Sequence, residues 1–339
     1  MMHKHSYFIW GLTPVPRWGL TPGSYLRRPG VLQTSWGLTP VQYGGQTPGR
    51  LVPMTCTRWG VDFAYISAVS EIRLLFLGDI VGKPGRELIR RGLPALREHH
   101  NVDLVIANAE NAAAGRGITR ELGDQFLDWG VDVMTSGNHI WAQREAIDYI
   151  GAEARLLRPA NFPPGVPGHG SYLARTAQGR PVGVINVMGR VFMQELDNPF
   201  HRVLEEIDAL RSRTRVIFVD FHAEATSEKI AMGWHLDGKV TAVIGTHTHV
   251  QTADEQILPG GTAYLTDVGM TGPHDGVIGV EKSPVIDKFL RGMPVRMETA
   301  SGNPRLNGIL IAADEGTGKA TSVHRLSLSA KELEHELAV

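Results

Sequence analysis

The chain has 339 residues, 42% hydrophobic and 20% charged, and its 34 Lys and Arg nearly balance 35 Asp and Glu, for a formal charge of −1. That balance excludes a general nucleic-acid-coating protein or a polybasic membrane binder, and the composition excludes disorder of the whole chain. No run of 18 apolar residues occurs, so no spanning helix and a cytoplasmic location are expected, and the single cysteine, Cys56, excludes a disulfide scaffold or a thiolate-built metal cluster.

The neutral total is a sum of two unlike parts. Residues 1–70 hold six basic residues and one acid, Asp62, whereas residues 71–339 hold 28 basic and 34 acidic residues, giving +5 and −6. The first part also carries four of the seven Trp, with Trp-Gly-Leu-Thr-Pro at 10–14, 18–22 and 36–40. Those spacings match no solenoid or propeller period, and the Pro and Gly between them interrupt helices and long strands. The segment reads as a poorly ordered, low-complexity extension. It is either an aromatic interaction tail or repetitive upstream DNA translated from an early start, and nothing catalytic should depend on it.

From Ile72 onward, short apolar strands alternate with amphipathic helices. In chain order the pattern predicts a strand at 73–78, a helix at 86–99, a strand at 103–108, a helix near 119–129, a strand at 131–136, a helix near 142–150 and a strand around 155–158. A Gly/Pro-rich loop at 163–170 precedes strands near 171–175 and 181–187, a helix from about 200 to 212, a strand at 215–220, a helix near 226–233 and a strand at 240–245. The last part reads as β-rich, with strands at 262–266, 294–299, 307–313 and 320–327, and residues 331–339 as a C-terminal tail. This order predicts an α/β sandwich over residues 71–330, both sheet faces covered by helices.

Open α/β sheets place their sites beyond the carboxyl ends of strands, and five such ends carry candidate ligands. They are Asp79; Glu110 and Asn111; Asn138 and His139; His222; and His247 with His249. Each alone has a bland reading as a cap, turn or surface residue. The His-Thr-His pair is the strongest single piece, because positions i and i+2 of an extended segment project to one side. Together these residues supply enough oxygen and nitrogen donors for two metal ions, and the lack of thiolates favours Fe, Mn or Zn. A bridging carboxylate holds such ions about 3.5–4 Å apart, the spacing that clamps both oxygens of phosphoryl transfer.

The order Gly-Asp, Asn-Ala-Glu-Asn, Gly-Asn-His, His222, Gly-Thr-His-Thr-His resembles the calcineurin-like metallophosphoesterase superfamily. Residues 108–119, 220–229 and 245–254 closely resemble the YmdB-like 2′,3′-cyclic nucleotide phosphodiesterases, and the likeness spans roughly Ile72 to Leu328. The resemblance implies a four-layer αββα sandwich of two mixed sheets and a hydrolase of 2′,3′-cyclic nucleotides that leaves 3′-nucleotides. It implies two transition-metal ions per chain, Fe or Mn, and attack by a hydroxide that bridges them. Asp79, Asn111 and His249 would bind the first, Glu110 would bridge, and Asn138, His222 and His247 would complete the second. His139 resembles the family's proton donor. The first motif has Asp-Ile-Val where the wider superfamily has Asp-x-His, and Asn111 stands in for the missing histidine.

Smaller expectations attach to Arg116 and Thr119, which could touch phosphate, although Thr119 could equally cap the helix beginning there. Thr226 and Ser227 share that ambiguity, His274 sits in a loop that could overhang the site, and His235 reads as structural. The expected partner is a small cyclic nucleotide or other phosphodiester, with no membrane and no stable nucleic-acid binding, and homo-oligomerisation is left open. Two rivals stand beside this reading: a phosphomonoesterase or nucleotidase of the same superfamily, and a metal- and nucleotide-binding regulatory protein. A metal-dependent amidohydrolase fails on order, since its His-x-His lies on the first strand.

Overall fold

The structure is a computed structural model that describes residues 70–336. The expectations for residues 1–69 lie outside the described residues. The first run of elements is β1 (Glu71–Leu77), β2 (Asp79–Ile80), α1 (Gly82–His99), β3 (Leu104–Asn108), α2 (Arg120–Asp128), β4 (Val133–Thr135) and α3 (Ala146–Ala152). A second follows with β5 (Ser171–Arg175), β6 (Pro181–Met188), α4 (Pro199–Arg211), β7 (Ile217–His222), α5 (Thr226–Leu236) and β8 (Ala242–Thr246). The chain continues through β9 (Gln256–Ile257), β10 (Ala263–Leu265), β11 (Met270–Pro273), α6 (Lys282–Arg291), β12 (Pro304–Asp314), β13 (Ala320–Ser329) and α7 (Ala330–Glu336).

Two mixed sheets result. The first runs β2-β11-β12-β1-β3-β4, with β13 paired to β12, and the second runs β5-β6-β7-β8-β10-β9. Within the first, β1, β3 and β4 are parallel and β12 is antiparallel to β1; within the second, β6, β7, β8 and β10 are parallel.

Period-two alternation builds the layers. On β1, Leu75 and Leu77 join Leu88, Ile89, Leu93 and Leu96 of α1, while Ile72, Leu74 and Phe76 face the opposite way. On β7, Phe218 turns inward to the same middle layer, where its ring centroid lies 4.8 Å from that of Phe76. Ile217, Val219 and Phe221 turn outward against Val203 and Ile207 of α4 and Met232 of α5. Helix, sheet, sheet and helix are therefore stacked as the αββα order requires, and each fully buried ring or branched chain contributes about 1.5–3 kcal/mol. Among the described residues no helix is long and apolar enough to cross a membrane.

Three expected segments differ. Residues 155–158 form only single bridges, Met134 with Leu156 and Leu157 with His169. The expected strand at 294–299 carries one bridge, Val280 with Thr299, and Pro294 there has no N–H to give a ladder. Residues 330–336 are helical, and Leu333 packs against Gly92 of α1. The helix α6 was not expected. Its apolar residues Ile286, Phe289 and Leu290 are exposed, so its pattern does not describe a core face.

Candidate metal centre

The carboxyl ends of the parallel strands converge at one end of the sandwich. Asp79 opens β2, Glu110 and Asn111 follow β3, and Asn138 and His139 follow β4; His222 ends β7, while His247 and His249 follow β8. All four oxygen donors, Asp79, Glu110, Asn111 and Asn138, come from the first sheet, and all three imidazole donors from the second. Gly137 allows the approach. A Cβ there would lie 2.1 Å from Cδ2 of His222, so the residue before Asn138 cannot carry a side chain.

Four lone-pair atoms face one another in the first group. His222 Nε2 is 2.9 Å from Asn138 Oδ1, 3.1 Å from His247 Nδ1 and 3.2 Å from Glu110 Oε1. One ligand atom from each of Glu110, His222 and His247 lies within 4.8 Å of the other two. In the second group, the Asn111 amide is 3.2 Å from His249 Nε2 and 3.4 Å from Asp79 Oδ1, and it also reaches Glu110 Oε1 at 3.5 Å. Glu110 therefore belongs to both.

The outer nitrogen of each imidazole shows which atom points inward. Thr246 donates its hydroxyl proton to Asp220 Oδ1 at 2.7 Å, so it must accept from His222 Nδ1, 2.9 Å away. His249 Nδ1 lies 2.9 Å from the carbonyl of Ile278, which can only accept. His247 Nε2 pairs with Glu224 at 3.0 Å. In each ring one N–H is held outward and the other nitrogen is aimed at the centre, the arrangement that orients metal-ligating histidines.

Electrostatics support the same reading. Asp79 and Glu110 are fully buried, and among the described residues neither has a Lys or Arg ion-pair partner. Burial raises the Asp79 carboxyl pKa against the pull of His249 and His222. Burial would raise Glu110 too, but His222 and His139 bring it down to about 2. Burial alone would lower the His222 pKa, yet Glu110, Asp79 and Asp220 lift it to about 9, while burial and the neighbouring His222 lower His247 to about 3. A protonated His222 thus offsets the buried carboxylates when no ion is bound, and with that proton released the same oxygen and imidazole donor set fits transition-metal ions.

His139 stands at the rim. Its main-chain N–H donates to Glu110 Oε2 at 3.0 Å and its Nδ1 lies 2.7 Å from Asn111 Oδ1. Burial lowers its pKa despite the nearby Glu110. The structure thus brings together Asp79, Glu110, Asn111, Asn138, His139, His222, His247 and His249. Arg116 is exposed, and its charge lowers the pKa of His139. Thr119 caps α2, accepting from Leu122 N–H at 3.3 Å. Neither Thr226 nor Ser227 caps α5, whose preceding residue is Ala225. His235 bonds the Phe200 carbonyl at 3.0 Å and packs edge-on to that ring.

The expected geometry of the His-Thr-His pair needs correction. His247 and His249 are not extended; both have positive φ, 101° and 65°. Such backbone is costly for side chains other than glycine and persists only where the surroundings hold it. Sequence reasoning also missed Thr246, Asp220, Glu224, Lys229 and Asp267. Asp220 and Glu224 sit inside the motif around His222, and a lysine on the inward face of a helix could have marked Lys229.

Residues 75–326 match the model of a family described as YmdB-like protein. A Bacillus subtilis (strain 168) protein described as 2′,3′-cyclic-nucleotide 2′-phosphodiesterase is 46% identical over 258 residues, covering 76% of this chain and 97% of that protein. Among solved structures, a Thermus thermophilus protein described as hypothetical is 39% identical with a TM-score of 0.72, covering 76% of this chain and 99% of that one. A Mycoplasma pneumoniae protein described as a novel phosphatase is 34% identical with a TM-score of 0.73, covering 78% and 97%. By family match, identity and shared fold, this chain belongs to the YmdB-like family.

Proposed function

We propose that this chain is a dinuclear-metal phosphodiesterase that hydrolyses 2′,3′-cyclic nucleotides to 3′-nucleotides. The observation that carries it is the convergence of Glu110, Asn138, His222 and His247 on one point, with Asp79, Asn111 and His249 grouped beside the same Glu110. The activity named for the Bacillus subtilis relative supports the substrate class. Asp79, Glu110, Asn111 and His249 would hold one ion and Glu110, Asn138, His222 and His247 the other, with Fe or Mn suited to mixed oxygen and imidazole donors. Such a pair, when bound, supplies Lewis acidity that makes water nucleophilic near neutral pH and neutralises charge on phosphoryl oxygens.

The Asn111 amide links ligation to proton donation. Its Oδ1 faces His139 Nδ1 and its Nδ2 faces Asp79 and His249. The two ends of an amide have the same shape, so their partners decide the orientation. Oδ1 has two lone pairs, so it can accept from His139 Nδ1–H and would still have one to offer an ion; Nε2, an atom with no hydrogen bond among the described residues, would then carry the second proton of the imidazolium. His139 is the proposed donor to the departing ribose oxygen as negative charge develops there.

The test is elemental analysis of protein from cells grown with Mn or Fe, followed by hydrolysis of 2′,3′-cyclic AMP with chromatography of the product. Two ions per chain and 3′-AMP are expected. No bound ion after supplemented growth would overturn the dinuclear reading. Faster hydrolysis of a nucleoside monophosphate would replace it with the nucleotidase reading.

A further inference from the structure

A cleft of about 380 Å³ adjoins the centre and shares His249 as a wall. Its other walls are the segment after β8, with Val250 and Gln251; the start of β11 and the loop that follows this strand, with Met270, His274 and Ile278; and the start of β12, with Arg305 and Asn307. One imidazole therefore separates the cleft from the candidate ligands, since the opposite nitrogen of His249 faces Asn111.

Asn307 is 3% exposed, and its Oδ1 has no hydrogen-bond partner among the described residues. The surroundings fix this orientation. His274 Nδ1 lies 3.0 Å from the Gly272 carbonyl and must carry the proton, so His274 Nε2 accepts. Asn307 gives it Nδ2–H at 3.2 Å. Turning the amide would set its oxygen against that bare nitrogen, so Oδ1 remains the unpaired end. A buried acceptor without a donor costs about 1–3 kcal/mol, a cost a ligand N–H would remove. Arg305 lies two residues earlier on the same face of β12, with its side chain 30% exposed and held by Ser327. Its planar guanidinium is suited to stack on an aromatic ring. Val250 and Ile278, both more than half exposed, supply apolar surface at the same cleft.

We propose that this cleft is the nucleoside subsite of the enzyme. The cyclic phosphate lies at the ligand cluster, and the planar base enters between the aliphatic side chains, stacks on Arg305 and gives an N–H to Asn307 Oδ1. This inference rests on the proposed phosphodiesterase reading and adds to it the residues that recognise the base. It also assigns His274 an indirect part: it is a positioning residue that holds the Asn307 amide.

The test is calorimetric titration of the full-length metal-loaded protein with 3′-AMP and, separately, with inorganic phosphate. The wild type is expected to bind 3′-AMP more tightly than phosphate. Asn307→Leu and, as a rim variant that does not disturb the interior, Arg305→Ala are each expected to weaken 3′-AMP about tenfold, the effect of one lost contact to a buried group, without a matching change for phosphate. Equal wild-type affinity for the two probes, or a 3′-AMP preference that survives in both variants, would overturn the subsite. Base-dependent binding without hydrolysis of any cyclic nucleotide would instead count against the phosphodiesterase reading and leave the subsite standing.

Discussion

The ammonium of Lys229 lies 2.5 Å from the carboxylate of Asp267, and both side chains are 1% exposed. The same oxygen, Oδ2, accepts the main-chain N–H of Thr248 at 3.1 Å and its hydroxyl at 2.8 Å, while Oδ1 takes Gly269 N–H at 2.8 Å. Thr248 stands between the two positive-φ histidines, so this buried pair holds the strained turn that aims both imidazoles inward. Asp267→Ala is expected to cost about 3–5 kcal/mol, because it leaves an uncompensated buried ammonium. Urea unfolding would read that loss, and elemental analysis should show reduced metal content in the folded fraction. Wild-type stability and full metal content would remove the role.

His139→Ala should keep its metal, since no other candidate ligand depends on that side chain for position except the Asn111 amide. Turnover of 2′,3′-cyclic AMP is expected to fall about 10²–10⁴-fold. A 4-nitrophenyl phosphodiester, whose leaving group needs no proton, should lose less. Equal losses on both substrates would argue against proton donation.

Gly137→Ala should be more damaging than its one added methyl suggests. The new Cβ would fall 2.1 Å from the His222 ring, and His222 is fixed from behind by Thr246. Overpacking of this kind costs about 1–3 kcal/mol, and here it also displaces Asn138 from His222. Thermal unfolding and metal analysis together would check this.

Alkaline stability offers a test away from the centre. Tyr264 is buried, its hydroxyl is 2.9 Å from Thr266 Oγ1, and burial pushes its pKa up to about 12. The unfolded phenol ionises near 10, so the folded state holds the proton longer. The associated stability is complete below pH about 10 and lost as pH rises through about 12, a loss of about 2–3 kcal/mol. Tyr264→Phe should flatten that decline. Urea midpoints for both proteins across this range would measure it, and parallel declines would contradict it.

Deleting residues 1–69 should leave cyclic nucleotide hydrolysis and metal content unchanged. All candidate ligands lie between Asp79 and His249, and the family match begins at residue 75. A soluble but inactive truncation would show that the extension takes part.

Most of the αββα frame could be read from apolar periodicity, because β1, β3, β7 and β8 are buried on both faces and flanked by helices with one apolar stripe. The candidate ligands could be read because each follows a strand end. Less legible was whatever depends on distant partners. The backbone of His247 and His249 is set by Asp267, eighteen or more residues away in sequence, and no local pattern announces a positive φ at histidine. The orphaned Oδ1 of Asn307 follows from a chain through His274 and Gly272, which a strand pattern cannot encode. The helix α6 was hidden for the opposite reason: its apolar residues face outward, so periodicity gives no core to assign them to.

The division of donors by sheet has a consequence for how the protein matures. The first sheet contributes only oxygen atoms and the second only imidazoles. Taken separately, the first would present a surface for hard ions such as magnesium or calcium, and the second a surface for softer ones. Discrimination between the proposed ions would require the two halves to be docked, as they are around Phe76 and Phe218. On the proposed reading, an ion would meet the full mixed donor set only where both sheets are already in place, so the ion captured would depend on whether the two halves were joined when it arrived.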